Sequence, residues 1–236
     1  MTEITRETFY SHFGVDSHMR RSAVIDMMQD CCTISRSTDE AIGPMMKSGE
    51  ALLYVAYRQV DIISQPRYRE TLTVRTGIFE SRRVYGRRTT VILGEGGQLR
   101  ARSYLVSTLV HASTRKPINL PKDVNDRIAL CEPADMELTP RKIDLPETPG
   151  KVCEPFRALR CQADTNGHIN NARYVDLADE LIPAGAEVSR MRFEYKASFV
   201  PGELILPTVY ETGSGCVMTF SNEQGAVCAA VEYLWL

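Results

Sequence analysis

The sequence is short of several things, and each shortage excludes a class. No apolar run approaches the ~18 residues that a membrane-spanning helix needs. The opening MTEITRETFY has no apolar stretch of the secretory kind, so the chain is expected to be soluble and cytoplasmic. Neither sign of charge is in large excess: 28 Lys and Arg face 30 Asp and Glu, a net charge of −2 over 236 residues. Without a basic field, nucleic acid and anionic membranes are not expected partners. The seven cysteines are odd in number and no Cys-x-x-Cys pair occurs, which removes support for a disulfide framework, a zinc ribbon or a thioredoxin-like site. Small buried hydrophobes are the expected role of these thiols. Histidine is scarce enough, at four residues, for each to be weighed.

What is present is ordinary material for a folded chain, 43% apolar and 25% charged. Six of the twelve prolines fall between Ser113 and Gly150. That stretch reads as a linker over 116–150, leaving domains at 1–115 and 151–236. In the first, Val24, Ile25, Met28, Cys31 and Ile34 recur at helical spacing. Strand-like runs follow at Ala51–Ile63, Glu70–Phe79, Arg87–Leu93 and Leu99–His111, with Gly94-Glu95-Gly96-Gly97 as a hairpin turn. The second repeats this order. A strand is expected at Val152–Cys161 and an apolar helix at Asn171–Ile182, ended by Pro183 and Gly185. Strands follow at Glu187–Ser198, Glu203–Glu211, Cys216–Ser221 and Ala226–Leu236. His18-Met19-Arg20-Arg21 before the first helix matches His168-Ile169-Asn170-Asn171 before the second at an offset of 150 residues. The pattern implies a tandem duplication of α+β units, each sheet curled around its helix.

The densest polar cluster is Asp164-Thr165-Asn166-Gly167-His168-Ile169-Asn170-Asn171-Ala172-Arg173-Tyr174, at the entry to the apolar helix. Gly167 permits a tight path, and Asn170 or Asn171 can cap the helix. A helix N-terminus offers free N–H groups to an oxyanion. His168 can move a proton, Asp164 can act as base or orient the imidazole, and Asn166 can hold a water. The plain alternative is that these residues only build a turn and a cap.

Asp-x-Asn-x-His-Ile-Asn-Asn-x-x-Tyr over 164–174 resembles the signature of the acyl-acyl carrier protein thioesterases, tandem hotdog-fold enzymes. Gln29-Asp30 late in the first helix, Pro66 ahead of Thr71–Thr76, and Thr114-Arg115-Lys116-Pro117 after a long strand are similar to further family features. The resemblance implies hydrolysis of fatty acyl thioesters on a carrier protein, with no cofactor and no metal. It implies Asp164, Asn166 and His168 in the catalytic places. The partner it implies is acyl carrier protein with a phosphopantetheine-linked acyl chain; the chain itself is expected to be a monomer or homodimer. Plant members carry Arg-Arg-Glu-Cys on the strand after the helix, where this chain reads Tyr195-Lys196-Ala197-Ser198. A cysteine nucleophile is therefore missing, and Asp164 becomes the candidate base, acting through water.

Arg82, Arg83, Arg87 and Arg88 lie within seven residues around a hairpin turn. They are either a solvated charged turn or a dock for an acidic carrier protein. His12 and His18 are expected to support the fold or a pocket, and His111 to be a satisfied strand histidine. Ser198 lacks the Gly-x-Ser-x-Gly elbow of a serine nucleophile. Competing readings are an acyl-CoA thioesterase, a non-catalytic acyl-binding module, and a dehydratase, the last weakened because the motif pairs Asp with Asn.

Overall fold

A computed structural model describes residues 1–236, and the chain divides into two compact units, Met1–Thr139 and Pro140–Leu236. The proline-rich 116–150 stretch is thus shared between them. Ile118, Leu120 and Ile128 are buried with Ala41, Ile42, Ala51 and Leu109, so apolar burial holds this stretch to the first unit up to Thr139. Beyond it, Ile143 is buried with Val217 and Ala230 in the second unit.

In the first unit the elements are β1 (Thr2–Glu7), α1 (Arg21–Thr38), α2 (Gly43–Lys47), β2 (Ala51–Ile62), β3 (Thr71–Arg82), β4 (Tyr85–Leu93), β5 (Leu99–His111) and α3 (Lys122–Asp126). The strands run antiparallel in the order β1-β3-β4-β5-β2. The long runs of alternating Val, Ile, Thr and Tyr become β2 to β5 close to their expected bounds, and the glycine-rich segment is the turn between β4 and β5. The strand β1 has one apolar residue, Ile4, and so gives little alternation. It forms because the edge of β3 is open to it, with Ile4 opposite Val74 and with Glu3–Arg75 and Glu7–Arg69 ion pairs along its length. The apolar stripe of α1 packs on the sheet through buried Val24, Ile25, Met28 and Cys31, and the Cys32 thiol meets the Thr76 and Thr90 hydroxyls.

In the second unit the elements are β6 (Lys151–Val152), β7 (Phe156–Arg157), α4 (Arg173–Asp179), β8 (Val188–Tyr195), β9 (Leu204–Thr212), β10 (Gly215–Ser221) and β11 (Val227–Trp235). Their order is β6-β9-β10-β11-β8, with β7 also on β9. This is the strand order of the first unit over again. Each unit is a helix laid on an antiparallel sheet, and the chain is two tandem hotdog domains.

Two expectations are corrected here. The strand foreseen over Val152–Cys161 is broken into β6 and β7 because Pro155 between them has no N–H to give a ladder. The helix foreseen over Asn171–Ile182 is only seven residues, Arg173–Asp179. Ala172 is its cap, and Ile182 precedes Pro183, which disfavours helical backbone at the residue before it. Tyr174, Val175, Leu177 and Ala178 are buried, so the helix is held by packing rather than length.

Candidate active site

The same backbone loop occurs twice. Each copy opens with a short 3-10 turn, at Tyr10–His12 and at Arg160–Gln162. Each closes through an isolated bridge, Phe13 with Met19 and Ala163 with Ile169. The Gly14 N–H donates to His18 O at 2.9 Å, and the Asp164 N–H to His168 O at 2.8 Å. The Arg20 N–H reaches His12 O at 2.8 Å, and the Asn170 N–H reaches Gln162 O at 2.9 Å. Even the side chain that pins the 3-10 turn is matched: His12 Nδ1 accepts from the Phe9 N–H and Gln162 Oε1 from the Leu159 N–H. His12 therefore supports its loop. Burial, and Arg20 after it, push its imidazole below the ordinary range.

The carboxylate differs between the copies. In the first loop it stands third, as Asp16, whose Oδ1 accepts from the His18 N–H at 3.0 Å. In the second it stands first, as Asp164, where the first loop has Gly14. Asp164 Oδ1 accepts from the Asn166 N–H at 2.8 Å and the His168 N–H at 3.4 Å. Its Oδ2 meets only the Asn166 amide, at 3.5 Å. Gly167 takes φ +78°, the left-handed conformation that lets the loop close in so few residues. Asp164 and His168 are half-buried and Asn166 is exposed. The motif thus brings a carboxylate, an amide and an imidazole onto one five-residue loop, 164–168.

Asn170 and Asn171 precede α4 in a turn. Asn170 Oδ1 accepts from the Ala172 N–H at 2.9 Å, so it stabilises the approach to the helix rather than capping it directly. The Asn171 N–H has no acceptor within the chain, while Asn171 O accepts from the Tyr195 hydroxyl at 3.4 Å. A wall of aromatics holds this turn in place. Tyr174 contacts Tyr195, Phe199 and Phe220 edge-on or tilted, with ring centroids 5.5 to 6.4 Å apart. The Ile169 N–H also donates to Phe199 O, at 2.9 Å. The supporting roles of Tyr195, Phe199 and Gln162 escaped the sequence analysis; only Tyr174 lay inside the recognised motif.

Tyr195-Lys196-Ala197-Ser198 gives no replacement nucleophile. The strand β8 ends at Tyr195, and Lys196, Ala197 and Ser198 are exposed beyond it. Glu194 is buried, and its Oε2 accepts from the Ile143 N–H at 3.2 Å, which fits a structural carboxylate. Nor do the four arginines at the β3–β4 turn form one exposed cluster. Arg82 and Arg87 share Glu80, Arg83 donates to Leu120 O, and Arg88 is buried. His111 is exposed at the end of β5, its N–H bonded to Lys116 O. No group of three or more His, Cys, Asp or Glu is arranged to hold a metal ion. No helix is long and apolar enough to cross a membrane.

A sequence model of the acyl-ACP thioesterase N-terminal domain matches residues 4–128. No curated protein sequence matches significantly. Among solved structures, an acyl-ACP thioesterase from Bacteroides thetaiotaomicron superposes with a TM-score of 0.88 at 16% identity, over 99% of this chain and 97% of that one. The 12:0-ACP thioesterase from Umbellularia californica gives 0.84 at 18% identity, over 99% and 96%. At such identities the likeness to solved structures is one of fold. The family match lies in the first unit, so the loop at 164–168 has to be argued from its own residues.

Proposed function

The chain belongs to the acyl-ACP thioesterase family, and from that premise we propose that it hydrolyses fatty acyl-ACP to free fatty acid and ACP at the Asp164 loop. The observation that carries this reading is the placement of Asp164. It occupies the position that is Gly14 in the matching loop, with one carboxylate oxygen fixed by two N–H groups and the other left toward Asn166. A carboxylate so held is oriented in advance of reaction.

In this reading Asn166 positions a water against the thioester carbonyl and Asp164 Oδ2 takes its proton. The new C–O bond forms as the carbonyl oxygen gains charge, which the free Asn171 N–H receives. The C–S bond then breaks, and the proton held by Asp164 passes by way of His168 to the phosphopantetheine thiolate, which leaves as the thiol and returns Asp164 to its carboxylate form. The second unit carries this chemistry, and the first supports the substrate. The helix itself is too short to be the main source of oxyanion stabilisation, and the Asn171 N–H takes that place. No metal or cofactor enters any step.

Free-thiol release from acyl-carrier and acyl-CoA thioesters, from butyryl to stearoyl, tests the proposal. Wild type should release thiol, with faster turnover on the carrier-linked series. His168→Ala should lower kcat about 100- to 10,000-fold, the usual worth of a positioned proton donor. Faster turnover of the CoA series would make CoA the carrier. No release from any substrate by the folded protein would mean an acyl-binding module, for which the absence of Glu and Cys at Ala197 and Ser198 is the reason.

A further inference from the structure

The first unit's copy of the loop carries aromatic rings that the second copy lacks. At the offset of 150 residues, Tyr10 stands where the second unit has Arg160, and Phe13 where it has Ala163. The Arg69 N–H donates to Thr8 O at 3.1 Å, as the Gly202 N–H donates to Ala158 O at 2.8 Å, which makes Pro201 the counterpart of Tyr68. These rings are not core. Tyr10 is 86% exposed and Tyr68 60%, and Phe13 meets Tyr68 edge-on with ring centroids 5.8 Å apart. The three line a groove of about 630 Å³, a volume inside the roughly 300–1,000 Å³ of small-molecule sites. Arg20 is the only charged residue in its wall. Arg20 Nη2 donates to Ser11 O, no carboxylate pairs with the guanidinium, and the rest of its donor fork is unused within the chain. The loop's own carboxylate, Asp16, is turned to His18 instead, with Oδ1 on the His18 N–H at 3.0 Å and Oδ2 3.6 Å from His18 Nδ1.

Rings gathered in the open around one groove mark a contact surface. The lone guanidinium sets the sign of what lies there. An aliphatic anion would leave the rings unused, and an uncharged sugar would leave Arg20 without a counter-charge. A flat heteroaromatic base that carries a phosphate meets both, because a base stacks on an aromatic face and a phosphate takes the arginine fork. The Ser11 and Ser17 hydroxyls in the same wall suit a ribose between the two. We propose that this groove binds a purine nucleotide, with the base on Tyr68, Phe13 and Tyr10 and a phosphate on Arg20. Two sources share this chemistry: a free adenine nucleotide, and the nucleotide end of coenzyme A. The inference stands apart from the proposed hydrolysis, because its site is the first unit's loop and binding is read without turnover.

Titration calorimetry on the full chain tests it, with AMP, adenosine 3′,5′-bisphosphate, coenzyme A, adenosine and inorganic phosphate. At least one of the three nucleotides should bind, with adenosine and inorganic phosphate each about tenfold weaker or silent, as expected when the charged contact or the stacked base is lost. Preference for AMP identifies the free nucleotide as the source; preference for coenzyme A and the 3′,5′-bisphosphate identifies the coenzyme. Arg20 and Tyr68 are both exposed, so their variants should fold as wild type does. Tyr68→Ala and Arg20→Met should each weaken nucleotide binding about tenfold or more, while Tyr68→Phe keeps the ring and the affinity and Arg20→Lys restores part of it. His168→Ala should leave nucleotide affinity unchanged. No binding by any nucleotide, inorganic phosphate or adenosine binding as tightly as the nucleotides, or affinity that falls in His168→Ala but not in Tyr68→Ala or Arg20→Met would overturn the proposal.

Discussion

Asp164 is an acceptor for its own loop as well as a candidate base. Its Oδ1 holds the Asn166 and His168 N–H groups, so Asp164→Ala removes a turn as well as a charge. That variant is expected to lose about 1 kcal/mol of stability, comparable to deleting a side-chain cap. Asp164→Asn keeps an oxygen for the turn and loses only the charge. Its melting temperature should match wild type while thiol release falls steeply, and equal activity in Asp164→Asn would move the base elsewhere. Glu70 gives the pH prediction. Its Oε1 takes Arg100 Nε and Nη2 at 3.0 and 2.6 Å, its Oε2 takes the Arg67 N–H at 2.7 Å, and the pair is buried. Burial acts to raise this carboxyl, but the Arg67 N–H and Arg100 outweigh it and hold it below the ordinary 4.5. The pair's stabilisation is therefore full above the unfolded value, and falls away as pH drops through the lowered folded value. Glu70→Gln should cost about 3–5 kcal/mol at neutral pH, because Arg100 is left buried and unpaired. It should also flatten the acid limb of stability measured by urea unfolding.

Single elements show how close approach and chain chemistry set boundaries. Gly94, before the β4–β5 turn, has φ −84°, which any residue adopts. A Cβ there would lie 2.1 Å from Glu70 Oε1 and 2.6 Å from Arg100 Nε. Gly94→Ala should therefore cost about 1–3 kcal/mol by overpacking against the ion pair. Gly96, two residues on, has open space but φ +70°, and Gly96→Ala should cost about 1 kcal/mol from backbone conformation alone. Combining Gly94→Ala with Glu70→Gln should give less than the sum in urea unfolding, and full additivity would remove the collision as the cause. The long strands were readable because alternation persists over many residues. Alternation also carried a signal for Arg88 that went unread, since Arg88, Thr90 and Ile92 share a strand face and Ile92 is fully buried. The breaks at Pro155 and before Pro183 were readable as well, by giving proline more weight than apolar content.

At the scale of the molecule the thiols report on both units. Cys161 is exposed, Cys131 and Cys153 are half-buried, and Cys31, Cys32, Cys216 and Cys228 are buried. Burial pushes Cys31 and Cys216 up to about 11, so their reactive thiolate is scarce as well as hidden. A thiol reagent on the native protein should show one fast group, lost in Cys161→Ser, and four more only with denaturant. A fast phase that survives Cys161→Ser would contradict this placement. The sequence by itself determined the duplicated order of helix and strands and the composition of the Asp164 loop, because periodicity and turn chemistry act over a few neighbouring residues. The tertiary structure decided the rest: that residues 116–139 belong to the first unit, that α4 is short, and that Arg88 is buried beside a cavity. Each of these depends on which surfaces meet across the sheet, and burial is a property of contacts between residues far apart in the chain.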